Sequence, residues 1–247
     1  MKSISAKLPA KLKSKTAVVT GANRGIGLAI AQALACEGCD VLLSARNAVK
    51  LKSAAAKIKG SGRTLTQACD VRDPKSVEKL FAVAEREFGS LHILINNAGI
   101  AQPLLSADEL PVEMWNDVIA TNLTGMFLCA RTALPLMRAG ATIVNNLSIA
   151  AHTSFPNFSA YDASKHGALG FTNTLREELR ERKIRVIALV PGATDTEIWD
   201  QFMPDADRGT MMSAESVAAT LLQALTLPEG TVIEELRMLP VSGTSRH

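Results

Sequence analysis

Tyr161 is the sole tyrosine in a chain of 247 residues, and Lys165 follows it four positions later in the stretch YDASKHG. Residues four apart on a helix stand one above the other on the same face, so the phenol and the ammonium would share one space. A phenol ionises near pH ~10 and serves as an acid at neutral pH only when its surroundings bring that value down. Three pH units correspond to ~4 kcal/mol, and one positive charge at ~4 Å in an effective dielectric of ~20 supplies about that much. Lys165 is therefore expected to suffice. The pair suits a proton donor to an oxygen on which negative charge develops, as when a carbonyl becomes an alcohol.

Such a pair needs a frame. The chain is 47% hydrophobic and 21% charged, and its length suits one α/β domain over residues 1–247. Lys+Arg number 27 against 24 Asp+Glu, a balance that argues against nucleic acid as the main partner. No stretch is apolar for the ~18 residues a membrane span needs, and the lysine-rich start lacks the apolar core of a secretory signal. A soluble, cytoplasmic protein with no membrane contact is expected, with residues 1–14 a solvated basic extension. Four cysteines, two of them in a CEGC spacing without nearby histidines, read as buried or inert thiols and as no metal site.

Apolar runs at 16–20, 40–45, 63–70, 92–96, 141–148, 184–190 and 231–239 predict strands. Helical patterns cover 25–38, 48–59, 76–89, 112–140, 159–183 and 213–227. Short apolar strands joined by crossover helices imply a doubly wound, Rossmann-type α/β fold: seven mostly parallel strands with helices on both faces. Ligands bind such sheets at the carboxyl ends of the strands.

The first strand ends in TGANRGIG, where Gly21, Gly25 and Gly27 precede an apolar helix. Missing side chains let the backbone turn tightly and approach a pyrophosphate at the positive helix N-terminus. No GK[ST] follows, so this is not a nucleotide P-loop. The second strand ends in SARN, with Ala45 where an NAD-preferring fold places an acid, and Arg46 next to it. A guanidinium takes a ribose 2′-phosphate bidentately, and Arg24 can add a second charge, which points to NADP(H); solvated surface arginines are the competing reading.

TGANRGIG, NNAG at 96–99, Asn122 in TNLTG, Ser148, YDASK at 161–165 and PGATDT at 191–196 resemble the motif set of the short-chain dehydrogenase/reductase family, in order and across nearly the whole chain. The interval of 13 residues from Ser148 to Tyr161 is also the family's. The resemblance implies a catalytic tetrad of Asn122, Ser148, Tyr161 and Lys165, with Asn122 anchoring a water that links the lysine to solvent. It also implies that Asn23 and Ile26 belong to the cofactor turn and that Asp70 and Val71 lie near the adenine. Asn97, Ala98 and Gly99 would flank the cofactor, and Pro191, Gly192, Thr194 and Thr196 would approach the nicotinamide carboxamide. Chemistry supports part of this on its own. Ser148 ends the strand 141–148, where its hydroxyl can hold a substrate oxygen through a bond that tightens as charge develops. Asn122 falls in the middle of the helical pattern 112–140, an unfavoured place for an amide without a reason. Asp70 reads equally as a turn or cap residue.

Substrate signals are thinner. Residues 195–213 mix Trp199, Phe202 and Met203 with acids, which fits a lid over an apolar ligand and also fits the packing of a short helix. Phe155 and Phe158 are candidate pocket walls, and His152 reads as a loop residue. The ending EELRMLP resembles that of relatives acting on small ketones or hydroxy acids. The leading expectation is an NADPH-dependent reductase of ketones or aldehydes with Tyr161 as general acid and base; a 3-oxoacyl-ACP reductase is the alternative. A non-catalytic NADP-binding redox sensor would need the glycine turn and Arg46 but not Tyr161, Lys165 and Ser148. The resemblance further implies a homo-tetramer or homo-dimer, for which the apolar MFLCARTALPLM is compatible with an interface and equally with internal packing.

Overall fold

Period-two alternation sets the first strand: in β1 (Thr16–Thr20) Ala17 and Val19 face one side of the sheet and Val18 the other, all fully buried. The structure, a computed structural model, describes residues 12–228 and 230–243. Residues 1–11 of the expected basic extension lie outside them. β2 (Asp40–Ala45), β3 (Thr64–Ala68), β4 (Leu91–Asn96), β5 (Met137–Asn146) and β6 (Arg185–Pro191) follow. A short ladder of β7 (Thr194–Asp195) and β8 (Met212–Ser213) stands apart, and β9 (Glu235–Met238) closes the main sheet. The order is β3-β2-β1-β4-β5-β6-β9, and every described pairing is parallel. The strand order reverses between β1 and β4, which opens a crevice at their carboxyl ends.

Both faces are covered, which is why the strands read as continuous apolar runs. α1 (Gly25–Cys36), α2 (Ala48–Ala55) and α7 (Ala214–Leu225) pack on the Val19 face through Ile30, Leu34, Leu51, Val217 and Leu221. α3 (Pro74–Phe88), α5 (Gly125–Ala133) and α6 (Ser159–Leu179) pack on the Val18 face through Leu80, Phe81, Leu128 and Leu175. Local signals set the ends of α3: Asp73 accepts from Lys75 N at 3.0 Å, Pro74 takes the first turn, and Gly89 stops it at φ 71°.

The helix expected over 112–140 is four pieces and ends early. α4 (Val112–Ile119) leads into a single π-helical turn (Ala120–Thr124), then α5, and a 3-10 turn at Leu134–Leu136 ends the helical stretch at Pro135. Residues 137–140 belong to β5, where Gly140 adopts φ 85° and donates to Lys183 O at 2.9 Å. The last strand is likewise shorter than 231–239, because β9 is an edge strand that pairs only where it meets β6. No helix among the described residues is long and apolar enough to cross a membrane. Cys39, Cys69 and Cys129 are buried, while Cys36, expected to be inert or buried, is exposed on α1.

Candidate active site

The carboxyl ends of the central strands open onto one cleft of about 810 Å³. At one end Gly21, Asn23, Arg24, Gly25 and Ile26 form the wall. Gly21 has φ 64°, and a Cβ there would lie 2.8 Å from Ala98 Cα, so only glycine allows this approach. Gly27 does not line the cleft: a side chain there would collide with Asn97, and its absence lets α1 seat against the β4 turn. Asn97 braces that turn, donating to Thr20 O at 2.9 Å and Gly21 O at 3.2 Å, while Thr20 Oγ1 accepts from the backbone N of Asn97 and Ala98. Ala98 and Gly99 face the cleft, whereas Asn96 is turned inward and donates to Asn145 Oδ1.

Exposed Arg24 and Arg46 stand on this same wall, and among the described residues neither is in an ion pair. Lys50, in the first turn of α2 behind the Asn47 cap, joins them; its signal was its place four residues past Arg46. Ala45, not a carboxylate, ends β2 beside them. Asp70 and Val71 line the wall beyond β3. Arg72, which sequence reasoning passed over, grips Asp70 through Nε at 3.0 Å and Nη2 at 2.7 Å and holds its carboxyl below the usual range. α1 begins without a capping side chain at Arg24. A cradle closed to any Cβ, an uncapped helix N-terminus and unpaired guanidinium groups together fit a phosphorylated dinucleotide.

Ser148, Tyr161 and Lys165 line the same cleft, as do Pro191, Gly192, Thr194 and Thr196, with Thr196 Cγ2 3.1 Å from where a Cβ on Gly25 would lie. β5 stops at Asn146, so Ser148 is not the strand end expected. It sits two residues on, in extended backbone, and its Oγ accepts from Ala150 N at 3.2 Å to cap a 3-10 turn over Ile149–Ala151. α6 has no capping side chain at Phe158; instead buried Gln102 supplies Oε1 to Tyr161 N at 2.9 Å, a contact across 59 positions. Asn122 lies behind the cleft in the π turn. It accepts from Ile100 N and donates to Ile100 O, both at 2.9 Å, and donates to Ser164 Oγ at 3.0 Å, tying the loop after β4 to α6. That tie explains an amide in mid-helix, and widened turns of this kind recur at functional sites.

Lys165 is buried, its Nζ 5.4 Å from the Tyr161 ring centroid and donating to Asn146 O at 3.1 Å. Burial pushes its pKa down to about 8. Tyr161 differs from expectation: burial lifts its pKa to about 12, the Ser148 hydroxyl pulls it down and the Asp162 carboxylate pushes it up. Lys165 is thus too far back, engaged by Asn146, to make the phenol acidic unaided. Asp162, also missed in the sequence, is buried and accepts from Phe155 N at 2.6 Å, which fixes the loop before α6.

Residues 195–213 form a flap over this end. The β7–β8 ladder joins its two ends, and Arg208 pairs with Asp195 at 3.1 Å and Asp200 at 2.6 Å. Trp199, Phe202 and Met203 face the cleft, and Trp199 Nε1 donates to Thr194 O at 2.9 Å. Gln201 Oε1 accepts from Ala101 N, linking the flap to the loop that Asn122 and Gln102 hold. His152 lies off the cleft, 3.1 Å from Glu235.

A parallel sheet with this strand order, a glycine turn at its crevice and a tyrosine–lysine pair opposite define a dinucleotide-fold oxidoreductase. The chain belongs to the short chain dehydrogenase family, whose pattern it matches over residues 15–207. It is 34% identical over 209 residues to the D-beta-hydroxybutyrate dehydrogenase of Rhizobium meliloti (strain 1021), covering 83% of this chain and 81% of that one. It is 33% identical to the farnesol dehydrogenase of Aedes aegypti, over 92% of this chain and 96% of the relative. An alcohol dehydrogenase from the archaeon Thermococcus sibiricus, solved with 5-hydroxy-NADP, superposes with a TM-score of 0.87 at 26% identity, covering 94% of this chain and 99% of that one.

Proposed function

We propose that the protein is an NADPH-dependent reductase of ketones or aldehydes, working reversibly, with Tyr161 as the proton donor. The observation that carries this reading is the convergence of Ser148, Tyr161 and Lys165 on one cleft whose other end holds the glycine turn, Arg24 and Arg46. Two relatives named for alcohol oxidation support the class. The bound nicotinamide would supply the hydride that the carbonyl carbon accepts. Ser148 Oγ accepts from Ala150 N and bonds the Tyr161 hydroxyl in the free cleft; it would turn its proton to the substrate oxygen and hold that oxygen beside the phenol. Tyr161 passes its proton to the same oxygen as charge develops there. Lys165 sits behind the ring and, with the positive ring of the oxidised cofactor, would stabilise the phenolate that remains. Asn122 and Gln102 keep the backbone of this wall fixed, the first through Ser164 and the second at Tyr161 itself. Arg46 and Arg24 are the groups proposed to take a 2′-phosphate, with Ala45 standing where an acid would repel it and the nearby Asp70 carboxylate held by Arg72. Among ring systems on the outer faces, Phe127 is 44% exposed on α5 and packs edge-on against Phe171 of α6, which supports a homo-oligomer through these helices.

Replacing Tyr161 with Phe removes the proton donor and keeps the ring. The variant is expected to lose NADPH-linked reduction of a reactive diketone by at least about a thousandfold while binding NADPH within about twofold of wild type. Retained turnover would overturn the assignment of Tyr161.

A further inference from the structure

The two ends of the cleft are built from opposite chemistry. Past Ser148, Phe158 stacks on Tyr161 with ring centroids 4.6 Å apart and planes at 28°. Phe158 meets Phe202 at 4.9 Å, and Phe202 meets Trp199 at 4.8 Å. These four rings come from α6 and its entry on one side and from the flap on the other, so an unbroken aromatic ladder runs from the phenol outward. Leu104, Phe155 and Met203 extend the same apolar lining. Charge is distributed differently. The cationic side chains lining the cleft are Arg24, Arg46, Lys50 and Lys165. Three of them stand at the glycine-turn end, and Lys165 is turned to Asn146 O. The flap contributes no cation to the lining, only the acids Asp207 and Glu197, the latter reaching back to 3.7 Å from where a Cβ on Gly25 would lie. A carboxylate or phosphate on a substrate lying along the ladder would lose its water and meet no partner of opposite sign, which is costly, whereas an apolar group there would gain from burial.

We infer that the substrate is an uncharged ketone, or the corresponding alcohol, carrying a bulky apolar group of at least ring size that lies against Phe158, Phe202 and Trp199. This rests on the carbonyl-reductase reading, and two separate readouts keep the two apart. Trp115→Phe leaves Trp199 as the single tryptophan, since the sequence holds two. That protein, saturated with oxidised NADP so that a ketone cannot react, is titrated with cyclohexyl methyl ketone, with 2-butanone and with 4-acetylcyclohexanecarboxylate. The ring ketone is expected to shift Trp199 emission saturably and to bind at least about tenfold more tightly than either of the others. No saturable shift, or equal affinity for the carboxylate or for 2-butanone, overturns the inference. Turnover with NADPH is then measured on the same three ketones. A ring ketone that binds as expected and is not reduced overturns the reductase reading alone. Reduction of 2-butanone with a kcat/KM equal to that of the ring ketone overturns the substrate class alone. Phe202→Ala should lower the ring ketone's kcat/KM relative to that of 2-butanone by about tenfold, and an unchanged ratio contradicts the ladder as the contact surface.

Discussion

Lys165→Met should make the folded protein more stable while abolishing its activity. Lys165 is 5% exposed, and the one hydrogen bond of its ammonium among the described residues goes to Asn146 O. Burial lowers its pKa from 10.5 to about 8. That difference of ~2.5 units, at 1.36 kcal/mol each, is ~3 kcal/mol by which the folded state disfavours the charged form. In the unfolded chain the same lysine keeps its proton up to pH ~10.4. Between pH ~8 and ~10.5 the unfolded chain binds more protons than the folded one, so stability rises with pH across that window. Below pH ~8 both states are protonated and the full penalty is present. Methionine has an unbranched side chain of similar reach and no charge; it removes the penalty and loses a hydrogen bond worth about 1 kcal/mol. The net gain at pH 7 is ~2 kcal/mol, a Tm rise of ~4–8 °C for a chain of this length. Thermal melts at pH 7 and at pH ~10.5 read it directly, with the gain expected at the lower pH and gone at the higher, where neither folded nor unfolded lysine is fully charged. A variant that melts lower than wild type at pH 7, or whose gain persists unchanged at the higher pH, would refute the reasoning.

Asn122→Ala removes one buried and two part-buried hydrogen bonds and strands both backbone groups of Ile100, a loss of ~3 kcal/mol that calorimetry should show as a Tm drop of ~6–12 °C. A Tm within ~2 °C of wild type would contradict the geometry. Wild type should prefer NADPH over NADH by at least about tenfold in kcat/KM, or ~1.4 kcal/mol, and Arg46→Ala should erase most of that preference. Equal use of both cofactors by wild type would remove the role given to Arg46. Light scattering on the purified chain should give the mass of a dimer or tetramer, and Phe127→Lys should shift it downward; a monomeric wild type would contradict the interface.

Much of the frame was legible because its causes are local or repetitive. Strands buried on both faces are written as unbroken apolar runs, and the glycine turn announces itself between strand and helix. Asn122 was flagged as out of place in a helix, yet the reason lay in Ile100, 22 positions away, and no local pattern marks a π turn. The helix run through MRAG failed for a similar reason: Gly140 is held in β5 by a bond to Lys183, a partner that periodicity cannot see. Gln102 gave no signal at all, since a glutamine in a loop becomes a helix cap only once the fold brings it to Tyr161. Sequence also placed a cation near the phenol without revealing that the lysine would be buried and the phenol half-buried in the cleft wall, and withdrawal from water is what sets their ionisation here.

The central claim is that Tyr161 is the group that trades a proton at this site. Because it is the only tyrosine, tyrosinate absorbance reports its ionisation without ambiguity. In the free protein the phenol should stay protonated through pH ~11, as expected for a group at about 12. Oxidised NADP would add one positive charge to the cleft; a charge within ~4 Å of the phenol would be worth ~4 kcal/mol, so ionisation should appear up to about three units lower. Superimposable titrations with and without the cofactor would contradict the account.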